Sequence, residues 1–454
     1  MLFILEEENE DDEKEDTKTP RSGKKLWSSI KKSLKETSAT DVLHAMGAVP
    51  SGFRLPTLGK LYADGDEYTM KNYLIPKLST SNLSFRDLFF NPVTNKIRPR
   101  PVRFQKIVTL QAARQIPHAG TGIEVINYCV RMCLFDGAKV LSNIVTVRSF
   151  CTDKELKNWS FHTKLTDNLP CVDYAEIFVR DNKGDKDIGV LFELCLGYKR
   201  VKTGELGEFS CGWAHLPLFA EDGTPALNKT YDLYVNGGTP YEKGIEVDPS
   251  VSRRESTNKW RALVSKNRQP RLSVKLSAPT KEQKEQLDTL PDVLVGSMCH
   301  LGSLSYYRQF LADALLRDRL DMQSTDLVHS PFLMSFPSVM EQPDILDVFR
   351  ASWIEKLKIT KRGDKRDAEH MKELFRQTFL ETCYPLCHSA NLQHYKFGDA
   401  DVEQNRAAEL TKIAQMNKEK NSALAALLSP DVAHLPFDMK ELSFDVLGPF
   451  CLVK

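Results

Sequence analysis

The stretch DIGVLFELCLGYKRVKTGELGEFSCGWAHLPLF, residues 187–219, decides the fold of this chain. In its first limb, residues 188–196, apolar side chains recur with a period of two and also fill several of the intervening positions. A strand that is apolar on both faces is typical of a sheet buried between two layers. The first limb is therefore predicted to be a buried strand.

The second limb predicts a strand that pairs with the first. Phe209, Cys211 and Trp213 alternate with small or polar residues, which places them on one predicted face, and Pro217 ends the run. The connection at 197–207 is polar, contains glycine and is too short for a crossover helix. We therefore expect two antiparallel neighbours in a β-sandwich or barrel.

Composition narrows the class of protein. The length of 454 residues suggests about three domains, or two with long tails. Lys and Arg (62) nearly balance Asp and Glu (61), so the net charge favours neither nucleic acid nor membrane as a partner. The ten cysteines form no close-set framework, which predicts reduced thiols in a cytoplasmic protein. No signal peptide or membrane span is expected.

Residues 1–38 are predicted to be a disordered, charged linker. Residues 6–16 contain nine acidic residues, and residues 21–35 contain six basic ones and no acid. Trp27, Ile30 and Leu34 nevertheless fall at helical spacing, so a basic amphipathic helix could contact an anionic membrane or an acidic partner. The alternative is a solvated tether. The candidate contact residues are Lys24, Lys25, Trp27, Lys31 and Lys32.

The middle of the chain follows the period of two. We expect a mixed segment at 39–103 that packs on a sandwich, and the sandwich itself at 104–280, with an irregular connection at 236–270. Asp136-Gly137 between apolar runs is the strongest hairpin signal. Residues 230–238 (TYDLYVNGG) and 271–276 (RLSVKL) each supply a further predicted strand.

Residues 281–454 change to a helical period. The run 289–292 resembles a capping box, and Leu294, Met298 and Leu301 begin an apolar stripe after it. Further helices are predicted from Pro343, after Gly363-Asp364, and at about 401–428, giving four or five in total. The predicted fold class is thus α+β and multidomain, an antiparallel β-sandwich followed by an α-helical domain.

Two cysteine pairs do not support a metal site. Cys383 and Cys387 are followed by His388, but Pro385 lies between the cysteines and no second pair with finger-like spacing exists. Cys129 and Cys133 lie in a predicted strand, where four residues span about 13 Å. We predict no metal ligands.

The remaining motifs also predict no cofactor and no catalytic residue. The glycine-rich run at 236–244 has the wrong order for a phosphate loop. Asp181, Asn182, Asp185 and Asp187 could offer oxygen ligands to calcium, but two lysines among them would oppose a cation. Neither a nucleophile elbow nor a metalloprotease helix occurs. We therefore do not expect an enzyme.

Five ordered stretches resemble the nephrocystin-1 family. They are 133–148 (CLFDGAKVLSNIVTVR), 188–198 (IGVLFELCLGY), 205–213 (ELGEFSCGW), 236–254 (NGGTPYEKGIEVDPSVSRR) and 318–333 (DRLDMQSTDLVHSPFL). The likeness extends from about residue 41 to the end of the chain. The middle stretches also resemble the sandwich pattern of C2-like domains in ciliary proteins.

The resemblance implies a non-enzymatic scaffold or adaptor of the ciliary transition zone, the axoneme and cell–cell junctions. It would assemble with nephrocystin-4 and related nephrocystins, and with adhesion-signalling and actin-associated proteins. The family also has an N-terminal coiled coil and an SH3 domain, whose patterns are missing here; the chain begins near the acidic tract that would follow that SH3 domain. Partners of the C-terminal region are therefore the ones expected.

The irregular connection supplies the candidate partner-binding residues. They are Tyr241, Glu242, Lys243, Arg253 and Arg254, polar and aromatic groups on a glycine-shaped segment. The alternative, that they brace the sandwich against the helical domain, stays open. A rival function also stays open, namely a C2-like module that binds anionic lipid through residues 21–35 and through Lys199, Arg200 and Lys202.

Overall fold

The computed structural model describes residues 49–50, 52–81, 84–120, 122–151, 153, 156–242, 244–245, 247, 269–317, 328–420, 429–433, 435 and 443–444. The predicted linker at 1–38, including the five candidate contact residues within it, lies outside these ranges. So do Lys243, Arg253 and Arg254.

Most strands of the described chain lie in its first half. In order they are β1 (Phe90–Asn91), β2 (Lys96–Ile97), β3 (Phe104–Arg114), β4 (Ile123–Phe135), β5 (Val145–Cys151), β6 (Trp159–Ser160), β7 (Glu176–Asp181), β8 (Gly189–Arg200), β9 (Leu206–Pro217), β10 (Thr230–Tyr234), β11 (Arg271–Ser277), β12 (Leu294–Ser297), β13 (Val328–His329) and β14 (Ser443–Phe444).

The α-helices lie mostly in the second half. They are α1 (Thr57–Ala63), α2 (Met70–Leu74), α3 (Lys281–Leu287), α4 (Leu301–Ala312), α5 (Pro331–Val339), α6 (Pro343–Ile359), α7 (Ala368–Cys387) and α8 (Ala400–Lys420). Short 3-10 turns occur at Asp66–Tyr68, Cys171–Asp173, Met298–His300 and Asp364–Arg366.

The strands form a two-layer antiparallel sandwich. One layer has the order β5-β4-β8-β9, and the other has the order β10-β11-β3-β7-β12. The two-residue strand β6 pairs with both β5 and β3 and so joins the layers at one corner. Side chains of β3, β4, β7, β8, β9 and β11 meet in one apolar core between the layers. The predicted fold class, a β-sandwich followed by helices, is confirmed.

Strands β8 and β9 are antiparallel neighbours, as the opening stretch predicts. Gly189 pairs with Pro217, and the ladder continues to Lys199 and Leu206. One detail is wrong: Trp213 does not share a face with Phe209. The register shifts beside Cys195, so that Phe209 and Ala214 both enter the sandwich core while Trp213 packs on the outer side. A β-bulge reverses the alternation in this way.

The predicted hairpin at Asp136-Gly137 is confirmed. It joins β4 to β5, whose register pairs Met132 with Val145. The Asp136 carboxylate accepts hydrogen bonds from the backbone N–H groups of Ala138 (2.9 Å) and Lys139 (2.6 Å). Gly137 has a φ of 89°, a region that glycine adopts without steric cost.

Strand β7 is shared by two cores. Its side chains alternate, so Ile177 and Val179 enter the sandwich while Phe178 points into the helical core. Gly296 of β12 makes room for that ring, since an added Cβ would lie 2.5 Å from the Cζ atom of Phe178. The helices therefore pack directly on the outer face of one sandwich layer.

The predicted helix start at 289–292 is wrong. Leu294 lies in β12, opposite Arg180 of β7, and α4 begins only at Leu301. The apolar spacing fits a helix, but pairing with β7 decides the conformation. The capping box lies earlier, where the Thr280 side chain accepts from the Gln283 N–H and the Gln283 side chain accepts from the Thr280 N–H.

The helices predicted from Pro343 and after Gly363-Asp364 are confirmed as α6 and α7, and the last as α8, which is described to Lys420. The described residues after 280 hold six α-helices, one more than the four or five expected, and α3 and α5 are the two that the sequence did not predict. Edge-to-face and stacked aromatic rings fill the centre of the helical core. The rings are Tyr307, Phe332, Phe336, Phe349, Phe375 and Phe379.

Polar side chains tie the two sandwich layers to each other and the last helix to the sandwich. The fully buried Asn143 donates to the Val295 carbonyl (2.8 Å) and accepts from its N–H (3.0 Å). The Arg148 guanidinium reaches both carboxylate oxygens of Glu403, at 2.8 and 2.9 Å, and so holds α8 beside β5. Buried groups that each find a specific partner fix the relative position of two packed units.

Candidate partner-binding surface

The irregular connection after β10 is anchored on β9. Asn236 and Trp213 exchange backbone hydrogen bonds at 2.8 and 2.9 Å, and the Trp213 indole donates to the Gly237 carbonyl at 3.3 Å. Gly212 permits this approach, because its φ is 133° and an added Cβ would clash with the Asn236 carbonyl. The described start of the connection, at residues 236 and 237, is therefore held against β9.

Glu242 is directed toward the connection itself. Its carboxylate accepts from the Thr239 N–H at 2.7 Å and lies 3.4 Å from Nε of Arg54. Gly238 leaves room for it, since a Cβ there would lie 2.5 Å from the same carboxylate oxygen. These contacts make Glu242 a brace of the turn; its role in binding a partner stays a prediction.

Tyr241 stands at the surface beside an apolar wall. Its side chain is 50% exposed, and its ring meets that of Phe135 edge-on with the centroids 6.0 Å apart. Partial burial raises the pKa of its hydroxyl to about 12, so the group remains a neutral hydrogen-bond donor at physiological pH. An aromatic ring that is half packed and half exposed is a typical anchor for a protein partner.

A groove of about 680 Å³ lies beside Tyr241. We call it the β10 groove; its lining includes Phe135, His215, Leu233, Tyr234, Pro240 and Glu242. Tyr234, at the end of the edge strand β10, is 56% exposed. The guanidinium carbon of Arg271 lies 4.8 Å from the centre of its ring, and Nη2 donates to its hydroxyl at 3.3 Å. Tyr and Arg anchors therefore flank the groove.

Two residues of this surface escaped sequence reasoning. Tyr234 and Arg271 lie 37 positions apart and meet only because β10 pairs with β11, where they are opposite each other. The alternation of β10 was the available signal, since its pattern of exposed and half-buried residues places Tyr234 outward.

His215 lies in the wall of the β10 groove. Burial lowers the pKa of its imidazole, which therefore stays neutral at physiological pH.

The hairpin between β8 and β9 forms a second distinctive surface. Val201 is 67% exposed and Leu206 is 50% exposed at its tip, and Lys199 and Lys202 stand beside them in solvent. Arg200 instead pairs with Glu205 at 3.1 Å. No helix in the described part of the chain is long and apolar enough to cross a membrane.

The acidic loop at 181–187, where two lysines argue against calcium, is organised by its own backbone. Asp181 accepts from the N–H groups of Lys183 (3.0 Å) and Gly184 (3.2 Å), and burial raises the pKa of its carboxyl. Asn182 donates to Asp292. These contacts account for the loop as a turn.

Two groups of metal-ligating side chains do come together among the described residues, and the sequence indicates neither. One is Cys171, Cys299 and His300, and the other is Cys129, Cys195 and Glu208. A hydrogen bond with Cys299, together with burial, raises the pKa of the Cys171 thiol. Cys383 and Cys387, the pair for which the sequence predicts no metal site, are not part of either group.

Comparison with known proteins gives two informative relatives. The chain is 45% identical over 423 residues to nephrocystin-1 from Canis lupus familiaris, a match that covers 93% of this chain and 75% of that protein. It is 26% identical over 400 residues to a nephrocystin-1-like protein from Caenorhabditis elegans, covering 86% of this chain and 53% of the relative. No protein-family model matches the chain.

Proposed function

This chain belongs to the nephrocystin-1 family, and from that premise we propose that it is a non-enzymatic scaffold of the ciliary transition zone. It assembles with nephrocystin-4 and related nephrocystins, and it also acts at the axoneme and at cell–cell junctions with adhesion-signalling and actin-associated proteins. Its location is cytoplasmic, at the base of the cilium. It needs no cofactor for this role.

The β10 groove is the observation that supports a scaffold. Tyr234, Tyr241 and Arg271 are anchors of the residue types that dominate binding energy at protein interfaces, and they flank a concave surface on a braced frame. A braced surface binds with little loss of conformational entropy, because its side chains are already positioned. We assign the contact with nephrocystin-4 to this groove.

The proposed division of labour follows the predicted domains. The sandwich at 104–280 carries the groove, the segment at 39–103 and the helical domain at 281–454 support it, and the linker at 1–38 tethers it. Residues 49–97 contribute to both cores: Phe53 enters the sandwich core, and Leu74 and Phe85 enter the helical one. Arg54 of the preceding segment also lies 3.4 Å from Glu242 in the wall of the groove.

The test is calorimetric titration of the full chain with recombinant nephrocystin-4 at two salt concentrations. We expect a Kd of about micromolar or tighter that changes little with salt, because the anchors are mainly aromatic. The double variant Y234S/Y241S should weaken binding by about tenfold or more. V93S is the control, since Val93 is 91% exposed in the turn between β1 and β2.

The outcomes separate the two parts of the proposal. If the chain binds but the double variant binds equally well, the groove is not the contact surface. If a folded chain gives no heat with nephrocystin-4, direct assembly through this region is wrong.

The tip of the β8–β9 hairpin supports a second candidate function, peripheral binding to an anionic membrane. Two exposed apolar side chains, Val201 and Leu206, stand beside Lys199 and Lys202. Such a tip can insert its apolar residues between lipid headgroups while the lysines meet negative charge.

Vesicle sedimentation tests this candidate. The chain should sediment with vesicles that contain phosphatidylserine at low salt, and K199Q/K202Q should reduce the bound fraction several-fold. V201S should reduce it as well, whereas K229Q serves as a control at an exposed lysine just before β10. Equal binding to neutral and anionic vesicles would exclude the electrostatic mechanism.

A further inference from the structure

Two cysteines and a histidine converge at the boundary between the sandwich and the helices. The sulfur atoms of Cys171 and Cys299 and a ring nitrogen of His300 all lie within 4.8 Å of one another. Cys171 is 3% exposed, and the other two residues are partly buried. Cys171 and Cys299 are 128 positions apart in the chain, so the fold alone brings Cys171 to the other two residues.

Strand pairing explains the convergence. Cys171 lies in the 3-10 turn that precedes β7, and Cys299 and His300 lie in the 3-10 turn that follows β12. Because β7 and β12 are antiparallel, with Ser297 opposite Ile177, the start of one strand and the end of the other meet at the same edge. The two hydrogen bonds between the Asn143 side chain and the Val295 backbone fix the position of β12.

The donor set matches the preference of zinc. Zinc takes thiolate sulfur at about 2.3 Å and imidazole nitrogen at about 2.0–2.1 Å in tetrahedral geometry, which places ligand atoms about 3.3–3.8 Å apart. The three ligand atoms, now within 4.8 Å of one another, would have to move about 1 Å closer together to meet this requirement. A cluster of two sulfur atoms and one nitrogen also excludes calcium and magnesium, which take oxygen ligands.

A carboxylate lies beside the set. Oδ1 of Asp347, on α6, accepts a hydrogen bond from the Cys171 N–H at 2.9 Å. The Arg350 guanidinium lies 3.6 Å from the same oxygen atom, and its Nη2 also donates to the Leu169 carbonyl. Asp347 is not one of the residues whose ligand atoms converge, so its role is to orient the site from outside the ligand set.

The other cysteine group lacks these properties. Glu208 pairs with Arg131, whose Nη1 lies 2.6 Å from the carboxylate, and Cys129 and Cys195 lie beside that cation in the sheet. A guanidinium at this distance repels a divalent ion and occupies the carboxylate. Only the first group presents ligands without a bound cation among them.

We propose that Cys171, Cys299 and His300 bind one zinc ion, with a water molecule in the fourth position. Both thiols release their protons on binding, as zinc thiolates require. Because Cys171 precedes β7 and His300 directly precedes α4, the ion joins the sandwich to the helical core.

Cobalt(II) is the probe, because it occupies zinc sites and its thiolate charge-transfer absorption reports cysteine ligands. The full wild-type chain should bind about one equivalent, and zinc should displace it. C299S and H300A should lose the band, and D347N should keep it with an affinity about 10- to 100-fold lower. C387S is the matched control, a partly buried cysteine on α7 outside the cluster.

A stability measurement runs in parallel and covers variants that fold less well. Zinc should raise the Tm of the wild type and of C387S, but not that of C299S. The proposal is overturned if the wild type shows no thiolate band, or if C299S and H300A bind cobalt as tightly as C387S. Zinc that stays bound to the C299S/H300A double variant would place the ion elsewhere and would also overturn it.

Discussion

The sandwich core and its junction with the helices are stabilised in different ways. Between the layers, apolar side chains such as Phe192, Leu194 and Phe209 are removed from water, and burial of area supplies the free energy. At the junction, the fully buried Arg180 carries the contact through polar groups, since it donates to the backbone just after α3. An apolar core tolerates many substitutions of similar volume, whereas a buried polar group needs its own partner.

Loss of Arg180 should have the largest effect. Its guanidinium is fully buried and donates to the carbonyls of Pro291 (3.1 Å), Arg100 (3.2 Å) and Leu290 (3.3 Å). R180A should lower the free energy of unfolding by about 3–5 kcal/mol, because it leaves these groups unpaired in a cavity. Denaturant unfolding followed by circular dichroism measures this loss.

Two variants make the comparison with the core explicit. L194A in the sandwich should cost about 2–5 kcal/mol through its cavity alone. R180M restores most of the volume but none of the hydrogen bonds, so its cost reports the polar part of the loss. If R180M is as stable as the wild type, apolar packing stabilises both regions and the distinction is wrong. R98A, at an exposed arginine, controls for loss of charge.

A second buried charge connects the sandwich to the segment before it. Glu193 of β8 is 1% exposed, and its two oxygens accept from the N–H groups of Thr57 and Leu58, each at 2.7 Å. Burial raises the pKa of its carboxyl. E193Q retains one acceptor and places an amide donor against the other N–H, so it should cost about 1–3 kcal/mol. E205Q, at an exposed glutamate, should change the unfolding midpoint little.

Two glycine positions compare the cost of a steric clash with the gain in helix propensity when alanine replaces glycine. An added Cβ at Gly189 would overlap the His215 imidazole and lie 2.7 Å from the Leu216 carbonyl oxygen, so G189A should cost about 1–3 kcal/mol. Gly302 in α4 has nothing within 4 Å of that position, and G302A should stabilise by about 0.5–1 kcal/mol. Thermal unfolding of both variants checks the opposite signs. If alanine stabilised the protein at both positions, the gain in backbone entropy would outweigh the clash at Gly189.

The sequence predicted the elements whose stabilising contacts are periodic. Strands β8 and β9 show a period of two and α6 shows a helical one, so local pattern and final structure agree there. The prediction was wrong where distant pairing decides: Leu294 joins β7 although its spacing fits a helix, and a bulge turns Trp213 to the other face. Neither partner is visible in a local window of sequence.

The candidate sites were harder to predict for the same reason. Tyr241 stood out as an aromatic residue on a glycine-shaped connection, but Tyr234 meets Arg271 only through the β10–β11 pairing. Cys171 and Cys299 likewise need the β7–β12 pairing. A site assembled from separate strands leaves no spacing motif in the chain, so the pairing must be known first.

The smallest predicted effect is a pH dependence of the free energy of unfolding that arises from His215 in the wall of the β10 groove. Burial lowers the pKa of His215, so the unfolded chain takes up this proton at higher pH than the folded chain does. The stability that the neutral imidazole contributes is therefore present above its ordinary pKa of about 6.5 and is lost as pH falls toward the lowered value. Between pH 7.5 and 5.5 the wild type should lose up to about 1 kcal/mol more than H215Q.

The control for this pH series is H370Q, at an exposed histidine on α7 that should leave the wild-type slope unchanged. Urea unfolding at each pH gives the difference between the curves, which removes the contribution of the other histidines. The ring of His215 meets that of Phe135 edge-on at 6.2 Å, an apolar contact that favours the neutral form. If the wild type and H215Q lose stability in parallel, this imidazole accepts its proton in place, and the groove wall is more hydrated than its packing indicates.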